Sequence, residues 1–209
     1  MTARLAVFLS GSGRTLVNLV QKIKTGDVPA EIVLVVASRP CAGVERAKEL
    51  GLDVHVVSGD LTAQEVETIL TEAHADFAIL AGYLRLIGVP ACYRGKIVNI
   101  HPALLPKFGG KGLFGDRVHQ AVLDAGVKVT GATVHVCDDR YDTGPILAQA
   151  LCDVKEGDTA QTLAKRVFAL ECELYPRVIR TLIEESEAPT QTTKTPEPLT
   201  PPLSRGQRE

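Results

Sequence analysis

Lys96 to Pro106 read KIVNIHPALLP. Ile97, Val98 and Ile100 form a short, β-branched apolar run, as a strand buried on both faces reads, and Pro102 closes it by withdrawing a backbone donor. Two hydrogen-bonding side chains, Asn99 and His101, stand at the end of this run. Strand side chains alternate, so Asn99 and His101 point to the same side while Ile100 points to the other. The following PALLP holds the pair in place, because both prolines restrict φ.

Working outward, four more runs have the same character: Leu5 to Leu9 (LAVFL), Ile32 to Ala37 (IVLVVA), Val54 to Val57 and Phe77 to Ala81 (FAILA). Segments of helical period separate them, at about residues 15–24, 43–50 and 62–74. This βαβα order predicts a parallel sheet covered by helices, and such sheets bind ligands beyond the carboxyl ends of their strands, where Asn99 and His101 lie. The second half changes pattern. VTGATVHV and ILAQALCDV flank the turn DDRYDTGP and read as an antiparallel hairpin added to the far edge of the sheet. A last helix is capped by Asp158 or Thr159 and carries Leu163, Val167, Leu170, Leu174, Val178 and Leu182 at spacings of three and four. Pro176 lies inside that pattern and predicts a kink or break near Tyr175. The fold class is therefore α/β: one domain over residues 1–185, with a mostly parallel, doubly wound, Rossmann-like sheet. Residues 186–209 hold five of the chain's 12 prolines and few large apolar residues, and are expected to form a disordered tail.

Composition narrows the function. The 209 residues are 45% hydrophobic, enough for one large domain, and no apolar run approaches the 18 residues of a membrane span. A net charge of −2 and 4% aromatics supply neither the basic footprint nor the stacking surface of a nucleic-acid binder. The five cysteines, Cys41, Cys92, Cys137, Cys152 and Cys172, are odd in number and contain no C-x-x-C pair, so a zinc site or disulfide framework is not indicated. A soluble cytoplasmic protein with reduced thiols, acting on small molecules without metal, is expected.

Three stretches could carry chemistry. SGSGRT, Ser10 to Thr15, follows the first strand and opens the first helix; the N–H groups of such a turn, at the positive end of a helix dipole, suit a phosphate. It is neither G-x-G-x-x-G nor a Walker loop, and a plain strand-to-helix turn would need its glycines too. At the second stretch, an amide donor (Asn99) beside an imidazole (His101) is equipment for stabilising an oxyanion and moving a proton. The third, DDRYDTGP, is rich in ordinary turn formers, and Asp142 is either one of these or a carboxylate that orients His101 and accepts a proton. Sequence spacing alone cannot bring residues 101 and 142 together.

Taken in order, SGSGRT, AGYLRLIG, NIHPALLP, VTGATVHVCDDRYDTGPIL, VKEGDT and ECELYP resemble the phosphoribosylglycinamide formyltransferase family over roughly residues 3–184. The resemblance implies a formyltransferase-type fold and transfer of a formyl group from 10-formyltetrahydrofolate, a consumed cosubstrate, to the amine of glycinamide ribonucleotide in de novo purine synthesis. It implies Asn99, His101 and Asp142 as catalytic residues. Gly11, Ser12, Gly13, Arg14, Thr15 and Glu171 would hold the ribonucleotide; Leu84, Arg85, Leu86, Ile87, Asp138, Asp139, Arg140 and Tyr141 would hold the folate. A monomer or homodimer is implied. The chain departs from many relatives in its glycine-rich loop from Lys107 to His119, which contains Lys111.

Rival readings are a 10-formyltetrahydrofolate hydrolase, which would use the same three side chains on water without needing a phosphate loop, and a formyltransferase acting on tRNA, which would need a basic second domain. A non-catalytic nucleotide-binding module on the same sheet is the alternative from another class. An amine-dependent transfer assay separates them.

Overall fold

Ala3–Leu9 forms strand β1 at the centre of the sheet, and every side chain from Leu5 to Leu9 is fully buried. The structure, a computed structural model, describes residues 2–188. After β1 come α1 (Arg14–Lys24), β2 (Ala30–Ala37), α2 (Ala42–Glu49), β3 (Val54–Val56), α3 (Ala63–Glu72) and β4 (Phe77–Leu80). A short 3-10 turn, Ala91–Tyr93, leads to β5 (Ile97–His101), followed by α4 (Asp116–Asp124), β6 (Val129–Val136), β7 (Ile146–Asp153) and α5 (Ala160–Glu187). The seven strands are ordered β3-β2-β1-β4-β5-β6-β7. β1 to β5 are parallel, and β6 and β7 each run antiparallel to the strand before them. The expected mostly parallel sheet with a hairpin at its far edge is what the chain forms.

Alternation along β1 produces the two layers. Leu5, Val7 and Leu9 pack with Leu16 and Leu19 of α1, Val44 of α2, Val118 and Val122 of α4, and Leu163, Val167 and Leu174 of α5. Ala6 and Phe8 turn the other way and pack with Val66 and Leu70 of α3. The strand order reverses at β1: the chain leaves β1 toward β2 but leaves β4 toward β5, so the loops after β1 and β4 diverge and open a crevice between them.

Two expectations need correction. The glycine-rich segment ends at Gly115, and Asp116–Asp124 is a helix whose Val118 and Val122 enter the core; a nine-residue helix carries too few apolar repeats to stand out beside so many glycines. His119, taken as part of the loop, is a buried residue of this helix. Helix α5 also runs unbroken through Pro176 to Glu187. Proline supplies no N–H to the carbonyl four residues earlier, and here the Asn18 side chain of α1 donates to the Cys172 oxygen at 2.9 Å in its place. The helix therefore extends to Glu187, past the boundary expected at residue 185, while the rest of the tail, residues 189–209, lies outside the described residues. Among the described residues no helix is long and apolar enough to cross a membrane.

Candidate active site

Antiparallel pairing of β5 with β6 sets Asn99 opposite His135 and His101 opposite Thr133. Because all four side chains share one face, two polar strand positions become a polar cluster of four. Thr133 pins the PALLP segment: its hydroxyl donates to the Ala103 carbonyl at 2.7 Å and accepts the Leu105 N–H at 3.1 Å. Behind the sheet, the buried Tyr175 hydroxyl of α5 sits 3.0 Å from the Leu80 carbonyl and 2.9 Å from that of Val98, clamping β4 to β5 just before Asn99.

The loop between β6 and β7 brings Asp142 to this cluster. Its Oδ2 lies 3.5 Å from His101 Nδ1, and its Oδ1 lies 3.5 Å from both His135 Nε2 and Asn99 Nδ2. The Gly110 N–H donates to Oδ2 at 2.9 Å. Asp142 adopts φ 56° and Phe108 φ 59°, left-handed conformations uncommon outside glycine, and the loops carrying them pack tightly together. A Cβ on Gly109 would stand 2.4 Å from Leu105 Cδ2 and 3.1 Å from Asp142 Cβ.

Carbonyl partners assign the ring protons. His101 Nε2 is 2.8 Å from the Phe108 oxygen, which only accepts, so Nε2 carries a proton and Nδ1 faces Asp142. The tautomer is thus held by Phe108, a role expected of Asp142. His135 Nδ1 donates to the Val136 oxygen at 3.0 Å, leaving Nε2 to accept one Asn99 N–H at 3.1 Å. The other Asn99 N–H has only the 3.5 Å approach to Asp142 and is available to a ligand. Burial lowers the His101 pKa, outweighing the Asp142 charge and the Phe108 hydrogen bond, so the ring is neutral at rest. Burial alone would raise the Asp142 carboxyl; the neighbouring His135 and His101 rings, each of which would carry positive charge if protonated, and the Gly110 N–H together hold it below its usual value and keep it ionised.

This cluster opens into a cavity of about 490 Å³ whose walls include Gly11 to Thr15, Leu84, Arg85, His119, Phe168 and Glu171. Gly13 caps α1 in the left-handed region, φ 73°, with no side chain to bond the first turn, so the N–H groups there are left for an anion. Gly13 also packs on Gly43: a Cβ at Gly13 would stand 2.7 Å from the Gly43 Cα. Arg14 lies over the Phe168 ring at 4.3 Å. Across the cavity, burial pushes the Glu171 carboxyl up to about 7, with Arg14 pulling weakly the other way.

The remaining candidate residues divide. Tyr141 lines the cavity beside Leu84 and Arg85, whereas Ile87 is buried in a bridge to Leu61 and the Leu86 N–H donates to Asp60 at 3.1 Å. Asp138 accepts from the Arg140 N–H and the Thr143 hydroxyl, and Asp139 accepts the Val89 N–H at 3.3 Å, so both carboxylates shape the loop that carries Asp142. His135 was missed by sequence reasoning, although its place two residues beyond Thr133 on a predicted strand put both on one face. Among the described residues no group of three or more His, Cys, Asp or Glu is poised to hold a metal ion.

Residues 3–179 match the family described as formyl transferase. A chloroplastic phosphoribosylglycinamide formyltransferase of Arabidopsis thaliana is 42% identical over 192 residues, covering 87% of this chain and 66% of that protein. Its counterpart in Vigna unguiculata is 38% identical over 191 residues, covering 87% and 61%. The chain therefore spans less than two thirds of the length of these curated relatives. Among solved structures, the phosphoribosylglycinamide formyltransferase of Bacillus halodurans superposes with a TM-score of 0.78 at 36% identity, covering 88% of this chain and 97% of that one.

Proposed function

We infer the reaction from one premise: the chain belongs to the formyl transferase family, among its phosphoribosylglycinamide formyltransferases. The proposed reaction is transfer of the formyl group of 10-formyltetrahydrofolate to the amine of glycinamide ribonucleotide, a step of purine biosynthesis. The observation that carries it is the approach of Asn99 and His101 to within 3.5 Å of Asp142, at one end of a cavity whose other end is a helix-capping anion loop.

In this mechanism the substrate amine attacks the formyl carbon, a C–N bond forms and the carbonyl oxygen becomes an oxyanion. The uncommitted Asn99 N–H meets that oxygen, and His101, once protonated on Nδ1, adds positive charge beside it. The ionised Asp142 takes the proton shed by the attacking nitrogen and shares it with His101 Nδ1 across their 3.5 Å gap. Delivery of that proton to the folate nitrogen breaks the second C–N bond, giving formylglycinamide ribonucleotide and tetrahydrofolate. The N–H groups of Gly11 to Thr15 hold the phosphate, Glu171 faces the ribose, and Leu84, Arg85 and Tyr141 line the folate side. The proposal includes a cytoplasmic location, supported by five free thiols, although the plant relatives are named chloroplastic.

The test is consumption of formyl-folate by the purified protein with and without glycinamide ribonucleotide. Turnover should require the ribonucleotide and yield formylated product and tetrahydrofolate in equal amounts. Deformylation at the same rate in its absence would identify a hydrolase and sink the proposal.

A further inference from the structure

His119 has no task in this reaction, yet its ring stands unsatisfied in the cavity wall. It is 4% exposed, its Nδ1 is buried without a partner, and neither ring nitrogen makes a hydrogen bond among the described residues. Its backbone belongs to a helix anchored in the core by Val118 and Val122. An unpartnered buried polar atom is destabilising, and buried polar groups are as a rule bonded, so an apolar residue would make this helix more stable. Keeping a histidine there calls for a partner that the chain does not supply.

The surroundings say what kind. The ring lines the same cavity as His101, Gly11 to Thr15, and Ala164, Phe168 and Glu171 of α5. Burial keeps it neutral, with Asp116 raising and His101 lowering its affinity for a proton. A neutral imidazole is no counter-ion for a phosphate, which the α1 loop already suits. It offers one donor and one acceptor, the match for an uncharged polar group. Since His101 is near enough to influence its ionisation, the ring belongs to the reactive end of the cavity.

We propose that His119 is a specificity residue that hydrogen-bonds the amide of the substrate's glycinamide arm, the group between the ribose and the reacting amine. This rests on the functional reading above. The contact sets the arm so that its amine reaches Asn99 and His101, and it distinguishes glycinamide ribonucleotide from ribose phosphates that lack the amide.

Thermal unfolding of the full chain tests it without relying on turnover. In His119→Phe, which keeps the ring's bulk, the ligand-free protein should unfold at the same temperature as wild type or higher. Its affinity for glycinamide ribonucleotide, read from the ligand-induced shift, should fall about ten-fold, since the lost hydrogen bond is one of ordinary strength. Affinity for ribose 5-phosphate should be unchanged, and His119→Asn, which retains an amide donor, should recover part of the loss. If the phenylalanine variant does not fold, His119→Leu against His119→Asn makes the same comparison. Equal weakening of both ligands, or a lower unfolding temperature with both affinities intact, overturns the proposal. Failure of glycinamide ribonucleotide to stabilise wild-type protein would overturn the functional reading itself.

Discussion

At the β5 end of the cavity, Asn99 gives an N–H to His135, His101 is held by the Phe108 carbonyl, and Asp142 accepts from Gly110. At the α1 and α5 end, Gly13 leaves the first helical turn uncapped, and Glu171 makes no hydrogen bond among the described residues. One end thus keeps its geometry without a ligand; the other is completed only by one. Groups that must meet a short-lived oxyanion gain from being fixed beforehand, because no energy is then lost in reorganising them during the reaction. Groups that bind a stable substrate can stay unsatisfied, and the substrate then stabilises the fold.

The sharpest way to break this division is at His101 and Asp142. His101→Ala and Asp142→Asn should each lower kcat by about 10²–10³-fold, as losses of transition-state charge stabilisation do, with the Michaelis constant for the ribonucleotide nearly unchanged. Steady-state kinetics on the two variants would show it. Wild-type turnover in either one would remove the proposed reaction centre.

Gly13→Ala should do the reverse. A side chain at φ 73° is strained, and its Cβ would meet the Gly43 backbone at 2.7 Å, so the α1 turn must shift. Damage to the anion loop should raise the ribonucleotide Michaelis constant by more than about ten-fold while kcat in saturating substrate stays within about a factor of two or three of wild type. A fall in kcat as large as that of His101→Ala would mean that the two ends are not separable.

Much of this was legible in the chain. Continuous apolar runs marked the parallel strands, and period-3.6 patterns the longer helices, because both signals are strong and local. Asn99 and His101 stood out for the same reason, being polar where a buried strand should be apolar. His135 was less visible, since its importance comes from the β5–β6 register, a pairing across 36 residues that no local pattern reports. The Asn18 donor that lets α5 continue past Pro176 is longer in range still, joining residues 154 apart. Asp138, Asp139 and Asp142 share one turn motif, and only the fold reveals that two of these carboxylates brace the loop while the third enters the cluster.

The two ends should also differ in their response to pH. Glu171 titrates in the folded protein at about 7 against a usual 4.5, so the folded state holds a proton that the unfolded chain has released. Its contribution is fully present below about pH 4.5 and is lost as pH rises through 7, a decline of about 3 kcal/mol. Asp142, with its lowered pKa, has the opposite sign: its contribution is present above the usual carboxylate value and is lost only in acid. Denaturant unfolding between pH 4 and 8 should show the Glu171 decline in wild type and its absence in Glu171→Gln. An unchanged slope in that variant would place the decline elsewhere.

The smallest effect should come from His135, which touches Asn99 and Asp142 but is assigned no proton to transfer. His135→Phe keeps an aromatic ring at a residue only 2% exposed, yet removes the acceptor that holds one Asn99 N–H. Asn99 would then adopt several orientations, and its second N–H would meet the oxyanion in only a fraction of encounters. A loss of about ten-fold in kcat follows, less than deletion of an oxyanion donor outright, with both Michaelis constants unchanged. His135→Gln, which offers an amide oxygen as acceptor, should restore part of that loss. The pH–rate profile makes the distinction from a chemical role: a positioning residue lowers the whole profile without moving its limbs, whereas a proton carrier shifts one of them. A displaced limb in His135→Phe, or a loss matching that of His101→Ala, would extend the reaction centre one strand farther, onto β6.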